Sequence, residues 1–178
     1  MSDKPTNAGP GRRFAVAGLA AVVVLGVGGF LLLDGDAEDP AAGPGRHTDT
    51  AYETPTGEAV PLSTFVGRPI VLNFFASWCV PCAAELPDFE KVSRTYGDRV
   101  EFLSVAENDR PAEAAELIAD TGVTYRWGLD PDGALFEEFG AAVMPTTVLL
   151  RADGAVAEVH AGILSEDELR DLVEAELL

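Results

Sequence analysis

Two cysteines, Cys79 and Cys82, are the only thiols in this chain of 178 residues, and they sit three positions apart. Two thiols cannot build a disulfide framework, and unaided they cannot close a four-ligand zinc site. The histidines do not complete one, because His47 falls in a stretch that reads as a linker and His160 lies far downstream. A lone C-x-x-C of this kind points to redox chemistry rather than to architecture.

The surrounding text is Ala76-Ser77-Trp78-Cys79-Val80-Pro81-Cys82. It follows an apolar run, Ile70–Phe75, that reads as a central strand covered on both faces, and it precedes a stretch of helical character. A helix starting here puts Cys79 at its N-terminus, where unpaired N–H groups and the macrodipole favour negative charge. Thiolates at such sites in C-x-x-C motifs have pKa values of ~3.5–7.5, against about 8.5 for a free thiol. The i, i+3 spacing holds Cys82 beside Cys79, so Cys79 reads as the nucleophile and Cys82 as the thiol that resolves a mixed disulfide. Pro81 stiffens the first turn by fixing its own φ. The cysteine pair is itself the redox group, so neither a further cofactor nor a metal is expected.

The elements that must hold this pair alternate between strand and helix. The helix after the cysteines runs to about Tyr96, with a kink expected at Pro87. Glu101 to Val105 reads as the next strand, and Pro111 opens a helix that Gly122 closes. Thr146 to Arg151 is β-branched and apolar, and Asp153-Gly154 is a hairpin turn into Val156–Val159. Ser165 and Glu168 make a capping box, Leu164 can staple onto Leu169, and Leu169, Leu172, Val173 and Leu177 form one apolar stripe. This order is that of an α/β sandwich with a mixed sheet.

The totals allow one ordinary domain plus an appendage. Thirty acidic against 12 basic side chains give a net charge of −18, which repels phosphate backbones and argues against nucleic acid as a partner. Residues 1–13 carry Lys4, Arg12 and Arg13 and read as a cytoplasmic tail. Residues 14–33 are uncharged and mostly apolar, about 30 Å long as a helix, which suits a hydrocarbon core. Acidic residues follow, so the positive-inside bias sends the remainder outside the cytoplasm. Residues 34–49, rich in Asp, Ala, Gly and Pro, read as a flexible linker, and the domain occupies 50–178. The rival reading is a cleaved signal peptide, whose apolar region is ~7–15 residues with a small-x-small site at its end. The nearest such triplet, Ala41-Ala42-Gly43, lies well past the run, so length favours a single-pass anchor in the cell membrane. Both readings give the domain the same compartment.

WCVPC after VLNFFAS resembles the active-site motif of the thioredoxin superfamily. The longer stretch LSTFVGRPIVLNFFASWCVPCAAELP is similar to the TlpA/ResA/CcmG branch of extracytoplasmic, membrane-anchored members. The resemblance covers about residues 50–178 and implies a thioredoxin-like three-layer sandwich with a central mixed sheet. Pro55-Thr56-Gly57 resembles the turn of the branch's N-terminal hairpin. Met144-Pro145-Thr146-Thr147 resembles its cis-proline loop, which implies that Pro145 packs opposite Cys79 and that the Met144 backbone pairs with an extended substrate. Glu85 matches a carboxylate of this branch near the redox pair, which implies a proton relay to Cys82. Asn73 stands where cytosolic thioredoxins carry a buried aspartate, so Glu85 is the natural substitute. Trp78 reads as a shield for the pair and, with Val80 and Pro81, as a contact for substrates. Glu107-Asn108-Asp109 reads equally as a border of the site or as a helix-entry loop.

The resemblance implies reduction of cysteine-containing proteins outside the membrane, for example cytochrome c precursors, with electrons from a membrane thiol relay. The same fold supports disulfide-forming oxidants, and the direction depends on the reduction potential, which Val80-Pro81 does not fix. A Cu(I) metallochaperone is a second class, since two thiolates suit a soft ion. Copper carriers resembling the Sco family, however, use C-x-x-x-C and a distal histidine. A peroxiredoxin-like peroxidase is a third, but the threonine-containing peroxidatic loop is missing before Cys79.

Overall fold

A computed structural model of the chain describes residues 49–178. The tail, the apolar run 14–33 and the linker up to residue 48 lie outside the described residues. Among the described residues no helix is long and apolar enough to cross a membrane.

The chain opens with a hairpin, β1 (Ala51–Glu53) and β2 (Ala59–Pro61), whose turn is the expected Pro55-Thr56-Gly57. A short 3-10 turn, Leu62–Phe65, leads into β3 (Ile70–Phe75), all six of whose residues are buried. Then follow α1 (Val80–Tyr96), β4 (Glu101–Glu107), α2 (Pro111–Thr121), β5 (Arg126–Asp130) and α3 (Ala134–Glu138). The antiparallel pair β6 (Thr146–Leu150) and β7 (Val156–Ala161) and the final helix α4 (Glu166–Glu176) complete the chain. One seven-stranded sheet has the order β2-β1-β5-β4-β3-β6-β7. It is parallel across β5, β4 and β3 and antiparallel elsewhere, so the expected mixed sheet is present.

Strand alternation sorts the core into two faces. Ile70, Leu72 and Phe74 of β3, with Leu103 and Val105 of β4, face the cluster that includes Leu135 and Phe139 at α3. Val71 and Phe102 face Phe89 and Val92 of α1 and Leu169 and Val173 of α4. Phe75 and Ala106, at the ends of the same strands, pack with both cysteines, Leu86 and the α2 residues Ala114 and Ile118. The layers are therefore α3, sheet, and α1 with α2 and α4.

The local signals act as read. Gly122 closes α2 with a left-handed φ of 74°. Ser165 and Glu168 form the capping box of α4. The sequence leads to a kink at Pro87, and α1 is one continuous helix across it, with the Ala83 carbonyl denied its usual donor. Strands β4 and β7 run two residues longer than their sequence patterns, to Glu107 and Ala161. Elements β5 and α3 were not foreseen. Strand β5 contains Gly128, which weakens any strand reading, and the sheet explains it. A β-carbon there would meet the Tyr52 ring at 2.2 Å and the Glu53 carbonyl oxygen at 2.5 Å, so glycine is what lets β1 dock on β5.

Candidate active site at the start of helix α1

Cys79 is the N-cap of α1, in extended conformation, and its Sγ accepts the Cys82 N–H at 3.3 Å. The two cysteines form a disulfide with Cα atoms 5.3 Å apart. Cys79 retains 4% exposure and Cys82 none, so only the first sulfur can meet a partner. The first turn of α1 carries no acidic residue, which leaves its positive end free to stabilise a Cys79 thiolate. The approach to Cys79 is held from the loop after β4. Asp109 accepts the Ser77 N–H at 2.5 Å and the Ser77 hydroxyl at 2.8 Å, fixing the turn that carries Trp78.

Cys79 opens onto a cleft of about 510 Å³. Trp78, Val80 and Pro81 form one wall, Ala142, Val143 and Met144 the other, with Phe136 and Glu107 at the side. Trp78 and Val80 are 65% and 80% exposed, an unusual state for large apolar side chains beside a buried disulfide. The Met144–Pro145 peptide is cis, as the resemblance implies. Met144 packs against the cluster that holds both cysteines. Pro145 is buried, and its carbonyl accepts the Gly162 N–H at 2.8 Å. Glu107 therefore borders the site, while Asp109 serves the loop into α2, so both readings of that segment apply. Burial first, then Asp130, Asp109 and Glu137, push the Glu107 carboxyl above its ordinary value.

Beneath the pair, Glu85 is 1% exposed. Three residues beyond Cys82, it lies on the same side of α1. Its Oε1 accepts the Asn73 amide at 2.9 Å, and its Oε2 accepts the Leu164 N–H at 3.0 Å. Burial outweighs these two donors and pushes its pKa up to about 7. Asn73 is opposite Ser104 on β4 and Thr147 on β6, so the three make one polar row across the sheet. Its Nδ2 also reaches Thr147 Oγ1 at 3.3 Å, its Oδ1 accepts Ser104 Oγ at 3.3 Å, and Ser104 meets the Tyr125 hydroxyl at 2.9 Å.

The structure thus brings Trp78, Cys79, Val80, Pro81 and Met144 to one cleft, with Cys82 and Glu85 behind it and Pro145 next to Met144 in the opposing loop. Sequence reading missed Ser104, Tyr125, Phe136 and Val143, and it named Thr147 only within the cis-proline loop. Ser104 had one signal, a hydroxyl inside the apolar run Phe102–Ala106. His160 lies on β7 opposite Thr147, in a hollow with Leu164 and Glu168. Among the described residues no group of three His, Cys, Asp or Glu side chains is arranged to hold a metal ion.

Comparison with known proteins gives concordant matches. The Redoxin family model matches residues 44–175. Thiol:disulfide interchange protein HelX of Rhodobacter capsulatus is 30% identical over 148 residues, covering 80% of this chain and 82% of that protein. Thiol-disulfide oxidoreductase ResA of Halalkalibacterium halodurans is 27% identical over 119 residues, covering 66% and 68%. A secreted disulfide oxidoreductase of Mycobacterium tuberculosis, homologous to DsbE of E. coli, superposes with a TM-score of 0.65 at 25% identity, over 71% of this chain and 96% of its own.

Proposed function

The chain belongs to the redoxin family and is a thiol–disulfide oxidoreductase of the ResA, HelX and DsbE kind, and we propose that it is a membrane-tethered reductant of cysteine-bearing proteins outside the cytoplasm. The observation that carries the exchange chemistry is the graded burial at the start of α1, while the reducing direction follows from the resemblance. Cys79 is at the cleft, Cys82 is enclosed behind it, and a carboxyl that titrates at about 7 lies one turn further in.

In the reduced protein the Cys79 thiolate, held by the Cys82 N–H and the helix N-terminus, attacks one sulfur of a partner's disulfide. That disulfide breaks, Cys79 forms a bond to one partner sulfur, and the other leaves as a thiolate that takes a proton. Glu85 takes the proton of Cys82. The Cys82 thiolate then attacks the Cys79 sulfur, releasing the second partner thiolate and closing the Cys79–Cys82 disulfide. The partner gains two electrons and the protein loses two, which a membrane thiol relay restores. A carboxyl near half-ionisation at neutral pH serves as base in one direction and as acid in the other. Trp78, Val80 and Pro81 contact the partner, and the Met144 backbone, set by Pro145, pairs with its extended segment.

The run 14–33 is the tether, and the secreted relative supports export of the domain. Cytochrome c precursors awaiting haem are the substrates that the resemblance favours. The deciding measurement is the reduction potential of the pair against glutathione or dithiothreitol buffers. A value near ~−270 mV or below supports the reductant, and one near ~−120 mV makes the protein an oxidant instead. Recovery of the full chain in the membrane fraction, lost when 14–33 is deleted, tests the tether.

A further inference from the structure

Polar side chains inside a sheet are costly unless each finds a partner. Asn73, Ser104 and Tyr125 satisfy one another in a line that ends on Glu85, and the direction of each bond can be assigned. Ser104 Oγ donates to Asn73 Oδ1, which uses its single hydroxyl proton. Tyr125 is then the donor in its bond with Ser104. With Oδ1 tied to Ser104, the amide presents Nδ2 to Glu85 Oε1 and to Thr147 Oγ1. An amide turned over would set Oδ1 against the carboxylate and an N–H against the Ser104 proton.

From this geometry we propose that Ser104 and Tyr125 are positioning residues for the Cys79–Cys82 exchange, locking the Asn73 amide so that its N–H stays on Glu85. The inference rests on Glu85 being the proton partner of Cys82. Three elements pack on that carboxyl. Helix α1 carries it three residues beyond Cys82, β3 brings Asn73, and the loop ahead of α4 brings the Leu164 N–H. Tyr125, ahead of β5, is the next titratable group along the line, and Glu90, further along α1, acts on Tyr125. Hydrogen bonds to a carboxylate favour its charged form. Loss of the Ser104 hydroxyl frees the amide to turn, weakens the bond to the charged carboxyl and leaves Glu85 protonated to higher pH. Loss of the Tyr125 hydroxyl does the same more weakly, because Ser104 keeps its own bond to Asn73.

The test reads two titrations in the reduced full-length chain in detergent. Carbon-13 NMR follows both groups, through the Glu85 side-chain carboxyl and the Cys82 β-carbon. Ser104→Ala moves both inflections upward by about half a pH unit or more. Tyr125→Phe moves them the same way by less, and Ser104→Thr restores the original position. If Ser104→Ala and Tyr125→Phe lower the unfolding midpoint yet titrate as wild type, the residues are merely structural and the proposal falls. Tyr125→Phe alone decides the matter should Ser104→Ala not fold. An unchanged Cys82 profile in Glu85→Gln removes the premise instead, whatever the carboxyl signal does in the other variants.

Discussion

At the start of α4, Ser165 Oγ accepts the Glu168 N–H at 3.4 Å, and Glu166, Asp167 and Glu168 crowd the first turn. At the start of α1, Cys79 Sγ accepts the Cys82 N–H at 3.3 Å, and the first turn holds no carboxylate. Both caps are extended and accept the N–H three residues on, and the charge around them differs. In α4 the positive end of the helix is already answered by its own acids, and hydrogen bonds from the Ser165 hydroxyl and N–H hold the Glu168 carboxyl below its ordinary value. In α1 the nearest carboxyl along the helix is Glu85, and burial holds it above its ordinary value. A stabilising cap and a reactive one differ here in what is withheld from the first turn.

Four predictions sharpen this contrast, from the largest effect to the smallest. Cys79→Ser abolishes reduction of a model disulfide substrate, whereas Cys82→Ser accumulates partner-linked adducts on non-reducing gels. Adducts that accumulate in Cys79→Ser and not in Cys82→Ser would reverse the assigned roles. Second, Glu85 makes oxidised-protein stability fall with rising pH. Below about 4.5 it is protonated in both folded and unfolded chains, but between about 4.5 and about 7 only the unfolded form ionises. That window costs roughly 3 kcal/mol and then levels. Urea midpoints across pH, taken as the difference between wild type and Glu85→Gln, check it, and a flat difference refutes it. Third, Ser165→Ala lowers stability by about 1 kcal/mol and leaves thiol titration alone. Fourth, Val80→Glu, at an exposed site, gives α1 the acidic turn of α4. At about 0.3–1 kcal/mol it raises the Cys79 pKa by a few tenths of a pH unit, read by pH-dependent alkylation.

What could be read ahead of the structure was local. The cysteine spacing, Pro81, the α4 capping box and the Asp153-Gly154 turn carry their meaning in adjacent residues. Glu85 and Pro145 came through family resemblance, because nothing within a few residues of either announces a raised pKa or a cis bond. The Asn73–Ser104–Thr147 row was out of reach. Its members belong to three strands whose register only the assembled sheet defines. Strand β5 was missed for a similar reason, since Gly128 makes sense only once Tyr52 lies against it.

The 5.3 Å between the Cα atoms of Cys79 and Cys82 also sets a clock. Once a partner is covalently attached to Cys79, the resolving sulfur is already in place, at an effective molarity that for well-oriented intramolecular reactions reaches ~10⁵ M or more. The lifetime of the joined complex is therefore fixed inside one helical turn, not by how tightly the cleft grips. A shallow, mostly apolar cleft that merely steers a disulfide onto Cys79 is then sufficient, and clients of unrelated sequence can be served by the same surface.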